Sequence, residues 1–286
     1  MTLIDLVERM SARLQEAGVS FGHGTTNAFD EAAWLVLWRL GLPLDGLDAN
    51  AGLEIEPQPR QAVEALVEER IHSRRPAAYL TGEAWLQGVP FHVDERVIVP
   101  RSLIAEVIAD GTVDAWLGGH TRRVLDLCTG NGSLAVLAAM AWPEVEVTAA
   151  DLSAPALEVA ALNIARHGLG SRIRLARGDG LDAVEGRFDL ILCNPPYVNR
   201  ESMQSLPPEY RCEPVMALDG GTDGMDFIRR LIHGLPARLA AHGVLVLEIG
   251  HERGHFEAAF PRLPVVWLPT SAGDDQVLLV EREALA

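Results

Sequence analysis

The sequence contains few cysteines and few basic residues, and it lacks any long apolar run. Its three cysteines, Cys128, Cys193 and Cys212, form no Cys-x-x-Cys pair, so they indicate neither a disulfide scaffold nor a cysteine-rich zinc site. No apolar stretch approaches the length of a transmembrane helix, and the first residues are charged and helically patterned, unlike a signal peptide. We therefore expect a cytoplasmic protein that does not associate with membranes.

Basic residues are outnumbered by acidic ones, 24 against 40, which gives a formal net charge of −16. Proteins that grip nucleic-acid backbones need clustered Lys and Arg to displace counterions, so we expect no direct nucleic-acid binding. A basic protein partner suits such a surface better. Acidity that only aids solubility is the alternative interpretation.

The chain is long enough for two domains, because it has 286 residues of which 48% are apolar. Residues 1–78 contain three segments with apolar residues at helical spacing and prolines at the breaks, which predicts a small helical domain. Trp34 and Trp38, four residues apart, are expected to pack in its core. Residues 79–100 mix glycines with alternating apolar residues, which predicts a β-hairpin linker.

Residues 101–286 show seven short apolar strands that alternate with helical stretches. This alternation requires crossover connections, so it predicts an α/β domain with a mostly parallel, Rossmann-like sheet covered by helices on both faces. We expect its last strand to be antiparallel.

The first strand of this domain ends in "DLCTGNGSLA", from Asp126 to Ala135. Glycines at Gly130 and Gly132 allow the backbone to turn tightly and approach a ligand at a helix N-terminus. Asp151 closes the next strand, where a ribose-binding carboxylate belongs. The pattern predicts an adenosine-containing cofactor, with glycines that only permit close packing as the alternative.

Two acidic residues bear on which cofactor binds. Asp126, just before the loop, would repel the pyrophosphate of NAD but could pair with the ammonium group of a methionine moiety, which favours S-adenosylmethionine. Asp179, after the third strand, could accept a hydrogen bond from an adenine amino group, or it could cap a turn.

The fourth strand ends in "NPPY", from Asn194 to Tyr197. The prolines remove N–H donors and fix φ, which holds the loop extended with an outward carbonyl at Pro195. That carbonyl and the Asn194 side-chain oxygen offer two acceptors for the two hydrogens of one planar NH₂ group. Tyr197 offers a wall against which an amide or a base could pack.

The combined motifs resemble the HemK/PrmC/PrmB family of protein glutamine methyltransferases, which are class I S-adenosylmethionine enzymes. The resemblance spans nearly the whole chain and includes "PAAYLTGEAWLQGVPFHVDERVIVPRS", "DLCTGNG", "NPPY" and "EPVMALDGGTDGMDFIRRLI". It implies that residues 1–78 recognise the protein substrate and that residues 101–286 are the methyltransferase domain. The expected amide-binding and catalytic residues are Asn194, Pro195, Pro196 and Tyr197. The expected cofactor-binding residues are Asp126, Cys128, Thr129, Gly130, Asn131, Gly132, Asp151, Leu152, Asp179, Gly180 and Asn194.

Two features favour one branch of the family. "PRSLIAE", from Pro100 to Glu106, and Cys128 within "DLCTG" look like the PrmB branch, which methylates a glutamine of large-subunit ribosomal protein L3. Leu103 departs from the proline expected there. The release-factor branch typically has "PRPDTE" and "DLGTG", so glutamine methylation of release factors is an alternative. Arg101 is expected either to support the cofactor end of the site or to form a structural ion pair.

Other functions remain possible from the residues. An adenine amino group in flipped-out DNA presents the same two hydrogens to the "NPPY" loop, which makes a DNA adenine methyltransferase the nearest rival. A protein that binds a ribosomal protein without modifying it is a non-catalytic alternative. His251-Glu252-x-x-His255 matches the zinc peptidase pattern, but Gly254 weakens the helix and no third ligand is evident, so we expect no metal.

Overall fold

The computed structural model describes residues 1–285, which begin with a group of helices. The helices of this first part are α1 (Leu3–Glu16), α2 (Ala28–Leu40), α3 (Leu47–Asn50), α4 (Pro57–Ser73) and α5 (Ala77–Thr81). Helix α1 starts at a capping box, in which the Thr2 hydroxyl accepts from the Asp5 amide and the Asp5 carboxylate accepts from the Thr2 amide. Its apolar face packs on α2 and α4 around a common core.

The two tryptophans of α2 differ in burial. Trp34 packs between this core and the linker, whereas Trp38 is 37% exposed. The expectation that both lie in the core is wrong for Trp38, which is not among the residues packed in this core.

A hairpin follows, with strands β1 (Glu83–Leu86) and β2 (Val89–His92). Gln87 and Gly88, the two turn residues, both have positive φ, as a type I′ turn requires. The hairpin is shorter than the expected linker of residues 79–100. Residues 79–81 belong instead to α5, which ends where Gly82 adopts a left-handed conformation.

The remaining strands form one sheet in the order β5-β4-β3-β6-β7-β9-β8. Their bounds are β3 (Arg123–Leu127), β4 (Glu146–Asp151), β5 (Ile173–Arg177), β6 (Phe188–Cys193), β7 (Leu239–Glu248), β8 (Val266–Thr270) and β9 (Gly273–Glu281). Strands β3 to β7 pair in parallel and β9 is antiparallel to both neighbours. The predicted seven-stranded α/β sheet and its antiparallel last strand are confirmed.

Helices cover both faces of the sheet. One apolar core contains residues of α6 (Ile104–Ala109), α7 (Ser133–Ala141) and α8 (Ala154–Arg166). The opposite core contains residues of α10 (Asp226–Arg238) and α11 (Arg253–Ala259). The short helix α9 (Arg200–Ser205) follows the fourth strand of the sheet. Strand order reverses between β3 and β6, which places the loops after these strands beside one another.

Buried charges join the N-terminal helices to the segment of residues 206–218. Arg70 of α4 is completely buried and donates to Glu31 at 2.8 Å, to Glu209 at 3.4 Å and to the Ser20 carbonyl at 3.1 Å. Arg74 adds a second contact to Glu209. The segment that follows the "NPPY" loop is therefore anchored on the helical part of the molecule.

Among the helices of residues 1–285, none combines the length and the apolar composition needed to cross a bilayer.

Candidate functional site

A cavity of about 370 Å³ lies beyond the carboxyl ends of strands β3 to β6. This is the switch point of the sheet, where ligands of doubly wound folds bind, and the volume lies in the range of small-molecule sites. The lining residues are Arg96, Leu127, Cys128, Ala150, Asp151, Leu152, Ser153, Gly178, Asp179, Gly180, Asn194, Pro196, Pro214, Met216, Ala217, Asp219, Gly220, Gly221, Asp226, Phe227 and Arg230. Of the predicted site residues, Cys128, Asp151, Leu152, Asp179, Gly180, Asn194 and Pro196 are among them.

Asp126 lies behind the cavity wall and is completely buried. One carboxylate oxygen accepts from the Thr129 hydroxyl and from the Ala135 amide at 2.9 Å, which ties the loop to the start of α7. The other oxygen is buried without a partner. Burial raises the pKa of Asp126 to about 7, although both hydrogen bonds oppose the shift. A cationic group would supply the missing partner.

The two loop glycines have different roles. A side chain at Gly130 would point into open space, and the Gly130 amide donates to Asp151 at 2.9 Å. A Cβ at Gly132 would instead lie 3.1 Å from the Cβ of Ala160 in α8. Gly132 is therefore required for helix packing, while the space at Gly130 remains available to a ligand. Asn131 is nearly buried and its amide nitrogen has no partner.

Asp151 ends β4 and faces the cavity. Its carboxylate accepts from the Gly130 amide and from the Ser153 amide at 2.8 Å, while burial raises its pKa. Its oxygens have further lone pairs that can accept hydrogen bonds from the hydroxyl groups of a ribose. The neighbouring Leu152 is 51% exposed in the cavity wall, which provides an apolar surface for a flat ring.

Cys128 has a φ of 61°, a left-handed conformation that non-glycine residues rarely adopt. Its side chain lines the cavity and packs on the core beneath the sheet. Burial, together with contact to Cys128, raises the pKa of the neighbouring Cys193 thiol. All three cysteines are free thiols.

Asp179 and Gly180 line one side of the cavity. The Asp179 side chain makes no capping hydrogen bond and accepts from Arg230 at 2.7 Å, an ion pair at the cavity edge. Arg230 also lies over the Phe227 ring. Gly180 has a φ of 56° and lies close to the same ring, which closes this side of the cavity.

Two hydrogen-bond acceptors of the "NPPY" loop have no partner in the described chain. Within the described chain, no hydrogen bond reaches the Asn194 side chain or the Pro195 carbonyl. Asn194 and Pro196 line the cavity, and Pro195 is buried beneath them. The Tyr197 ring does not line the cavity, and its hydroxyl donates to Glu248 at 3.2 Å. Tyr197 forms the back of the loop, and whether a substrate amide packs on it remains a prediction.

The wall opposite the strands comes from residues that the sequence analysis did not assign. They are Arg96 from the linker and nine residues from the segment 214–230. The quoted stretch "EPVMALDGGTDGMDFIRRLI" contains these nine, so a signal for them was present in the sequence. Arg96 lies in the quoted stretch "PAAYLTGEAWLQGVPFHVDERVIVPRS", but only the folded hairpin shows that it reaches the cavity.

Arg101 forms a structural ion pair rather than contacting the cavity. Its guanidinium binds both carboxylate oxygens of Glu213 at 2.7 Å and lies over the Tyr210 ring. Burial alone would raise the pKa of Glu213, but Arg101 and His23 lower it to about 2. This pair holds the segment that contributes Pro214 and Met216 to the cavity.

The His251-Glu252-x-x-His255 pattern does not form a metal site in the described residues. Glu252 accepts from Asn199 and from His255, each at 2.6 Å. Across residues 1–285, no three His, Cys, Asp or Glu side chains are grouped as metal ligands.

Comparison with known proteins is consistent with this site. The model of the "Methyltransferase small domain" family matches residues 108–206. The chain is 53% identical to a ribosomal protein uL3 glutamine methyltransferase of Bordetella pertussis, over 99% of this chain and 96% of the relative. Relatives with the same name in Burkholderia pseudomallei and Neisseria meningitidis are 50% and 46% identical, with 99% of this chain covered and 95% and 94% of the relatives.

A solved structure supports the fold independently. The hMettl16 catalytic domain in complex with MAT2A 3′UTR hairpin 6 is 14% identical and has a TM-score of 0.52, with 78% of this chain and 81% of that chain covered. At this identity the likeness concerns the fold alone. Sequence identity near one half over the full length, together with the cavity and its two loops, is decisive for membership: the chain belongs to the family of ribosomal protein uL3 glutamine methyltransferases.

Proposed function

We propose that this enzyme transfers the methyl group of S-adenosylmethionine to the side-chain amide nitrogen of a glutamine in ribosomal protein uL3. The observation that carries the proposal is the pair of acceptors with no hydrogen bond in the described chain: the side-chain oxygen of Asn194, which lines the cavity, and the carbonyl of the adjoining Pro195. A primary amide has two N–H hydrogens in one plane, which such a pair can bind together.

The residues at the cavity fit the proposed cofactor. The unpartnered oxygen of Asp126 and the space at Gly130 would receive the methionine end, and Asp151 would hold the ribose hydroxyls. Leu152, Asp179 and Gly180 would enclose the adenine. S-adenosylmethionine, when bound, supplies an electrophilic methyl group on a positively charged sulfur.

The contribution of the protein is to orient and polarise the amide. An amide nitrogen is a weak nucleophile because its lone pair is delocalised into the carbonyl. Asn194 and Pro195 accept its hydrogens, draw negative charge onto the nitrogen and aim it at the methyl carbon. With the cofactor bound, transfer would form a nitrogen–carbon bond as the sulfur–carbon bond breaks, and the amide proton would leave to solvent. Orientation can contribute roughly 7–11 kcal/mol at best.

The protein partner is proposed to bind over the cavity mouth and the N-terminal helices. Exposed Val215 and Met216 form an apolar rim there, and exposed Asp219 and Asp226 are close to them. A net charge of −16 would attract a basic ribosomal protein. We propose that residues 1–78 recognise this substrate and that residues 101–286 catalyse the methyl transfer. Residues 79–100 would link these two parts. Because the substrate is ribosomal, the proposed location is the cytoplasm, with no direct contact to nucleic acid.

The test is to incubate the enzyme with labelled S-adenosylmethionine and, separately, with uL3, release factors and duplex DNA. We expect label only in uL3, as a mass gain of one methyl group on a peptide that contains glutamine. Label in release factors or in DNA, and none in uL3, would refute the proposed substrate.

Asn194→Ala tests the acceptor model within this experiment. It removes one of two electrostatic contacts to the reacting nitrogen, so we expect kcat to fall by about 10²–10³. Affinity for S-adenosylmethionine, measured by calorimetry, should change only a few-fold. Turnover within a few-fold of wild type would show that the acceptor model is wrong.

A further inference from the structure

A buried carboxylate, that of Glu248, lies directly behind the "NPPY" loop. Strands β6 and β7 pair up to Cys193 and Leu247, so Glu248 is level with Asn194 across the two strands. It is only 3% exposed. Burial raises the pKa of Glu248, and the residue does not line the cavity.

The two oxygens of Glu248 contact different parts of the molecule. One accepts from the Tyr197 hydroxyl at 3.2 Å. The other accepts from the Ser102 hydroxyl at 2.6 Å and from the Leu103 amide at 2.9 Å, just before α6. The carboxylate therefore connects the loop to the junction between the linker and the methyltransferase domain.

Glycines leave room for Tyr197 on its other sides. A Cβ on Gly250 would lie 2.5 Å from the Tyr197 ring. A Cβ on Gly220 would lie 2.7 Å from the Tyr197 Cα, and one on Gly224 would lie 2.2 Å from the Tyr197 carbonyl. Such close backbone packing fixes one position of the tyrosine, and the hydrogen bond to Glu248 sets the direction of its ring.

We propose that Glu248 is a positioning residue that acts through the Tyr197 hydroxyl to fix where Asn194 and Pro195 hold the substrate amide. This inference rests on the proposed function. Because Tyr197 is only two residues beyond Pro195, a shift of its ring moves the acceptors relative to the methyl group. Misplacement of about 1 Å can reduce a rate by about 100-fold, so loss of this contact acts on kcat more than on substrate binding.

The test is a double-mutant cycle of Glu248→Ala and Tyr197→Phe, measured with uL3 as substrate. We expect each single variant to lower kcat by about 10–100-fold with KM for S-adenosylmethionine changed less than about threefold. The double variant should be within about twofold of the worse single variant, because both changes remove the same hydrogen bond between Tyr197 and Glu248. Glu248→Gln should stay within about threefold of wild type, since its amide oxygen can accept from Leu103 while its NH₂ donates to Tyr197.

The matched control is Glu281→Ala on the neighbouring strand β9. Glu281→Ala loses the hydrogen bond from the Trp116 indole at 2.8 Å, and Glu281 pairs with Val244, four residues before Glu248 in β7. We expect its kcat to be unchanged. The proposal would be overturned if the fold reductions in kcat of Glu248→Ala and Tyr197→Phe multiply in the double variant. A wild-type kcat in either single variant would also overturn it.

Hydrogen exchange gives a readout that needs no substrate. In Glu248→Ala, and in Tyr197→Phe if the alanine variant does not fold, the amide of Val198, which donates to the Leu218 carbonyl at 2.9 Å, should exchange about tenfold faster than in wild type. Unchanged exchange would overturn the inference. Faster exchange in a protein that never methylates uL3 would instead refute only the proposed function.

Discussion

At the scale of single residues, the site depends on groups whose burial changes their chemistry. Asp126 is the clearest case, because one of its oxygens is satisfied by the loop and the other has no partner. Its carboxyl has a pKa of about 7 in the folded chain, against 3.8 in the unfolded chain. The folded protein therefore retains a proton that the unfolded chain releases.

This difference predicts a pH dependence of stability without cofactor. As pH rises from about 4 to about 7, the contribution of Asp126 to the free energy of unfolding should fall by up to about 4 kcal/mol, and it should stay constant above that range. Asp126→Asn should remove this fall. Urea unfolding of both proteins between pH 4.5 and 7.5 measures the difference, and parallel curves for the two proteins would contradict it.

Cys128 predicts a stabilising substitution. Its left-handed φ of 61° costs an L-residue about 1–2 kcal/mol, a penalty that glycine does not have. We expect Cys128→Gly to raise the free energy of unfolding by about 1 kcal/mol, because relief of strain exceeds the loss of thiol packing. Cys128→Ala is the control, since it removes the thiol and retains the strain. Stabilisation by alanine equal to that by glycine would show that strain is not the cause.

At the scale of elements, the start of α7 is fixed by its contact with α8. Gly132→Ala would add a methyl group 3.1 Å from Ala160 at a φ of 81°, so crowding adds to backbone strain. We expect a loss of about 2–4 kcal/mol in urea unfolding. Gly168→Ala is the control, because it has a φ of 68° and no neighbour within 4 Å, and it should lose only about 1 kcal/mol. Equal losses would mean that helix packing does not require the glycine.

At the scale of the whole molecule, Arg70 joins the N-terminal helices to the segment that lines the cavity. Arg70→Met would leave Glu31 buried without its main partner and would weaken the hold on Glu209. Breaking a buried ion pair from one side costs about 3–5 kcal/mol, so we expect a loss of that size. Arg39→Met on the exposed side of α2 should change stability by less than about 0.5 kcal/mol. Similar midpoints of thermal unfolding for the two variants would contradict the prediction.

Much of the fold could be predicted from the sequence because local patterns determine it. The seven short strands predicted for residues 101–286 are all present, and together they form the one sheet. Two loops with specific residues, Gly130 and Asn194 among them, indicated where a ligand would bind. Such patterns report whether a residue is buried and which way the backbone turns, and both are local properties.

The sequence by itself therefore determined which motifs follow the strands along the chain: a glycine loop, then an acidic strand end, then an "NPPY" loop, all on one mostly parallel sheet. Only the tertiary structure decided which side chains meet across long separations, such as Arg101 with Glu213 and Tyr197 with Glu248. It also decided that Trp38 is exposed and that Gly132 packs on a helix. The physical reason is that such contacts depend on how distant segments pack together, and the periodicity of one segment contains no information about its partner.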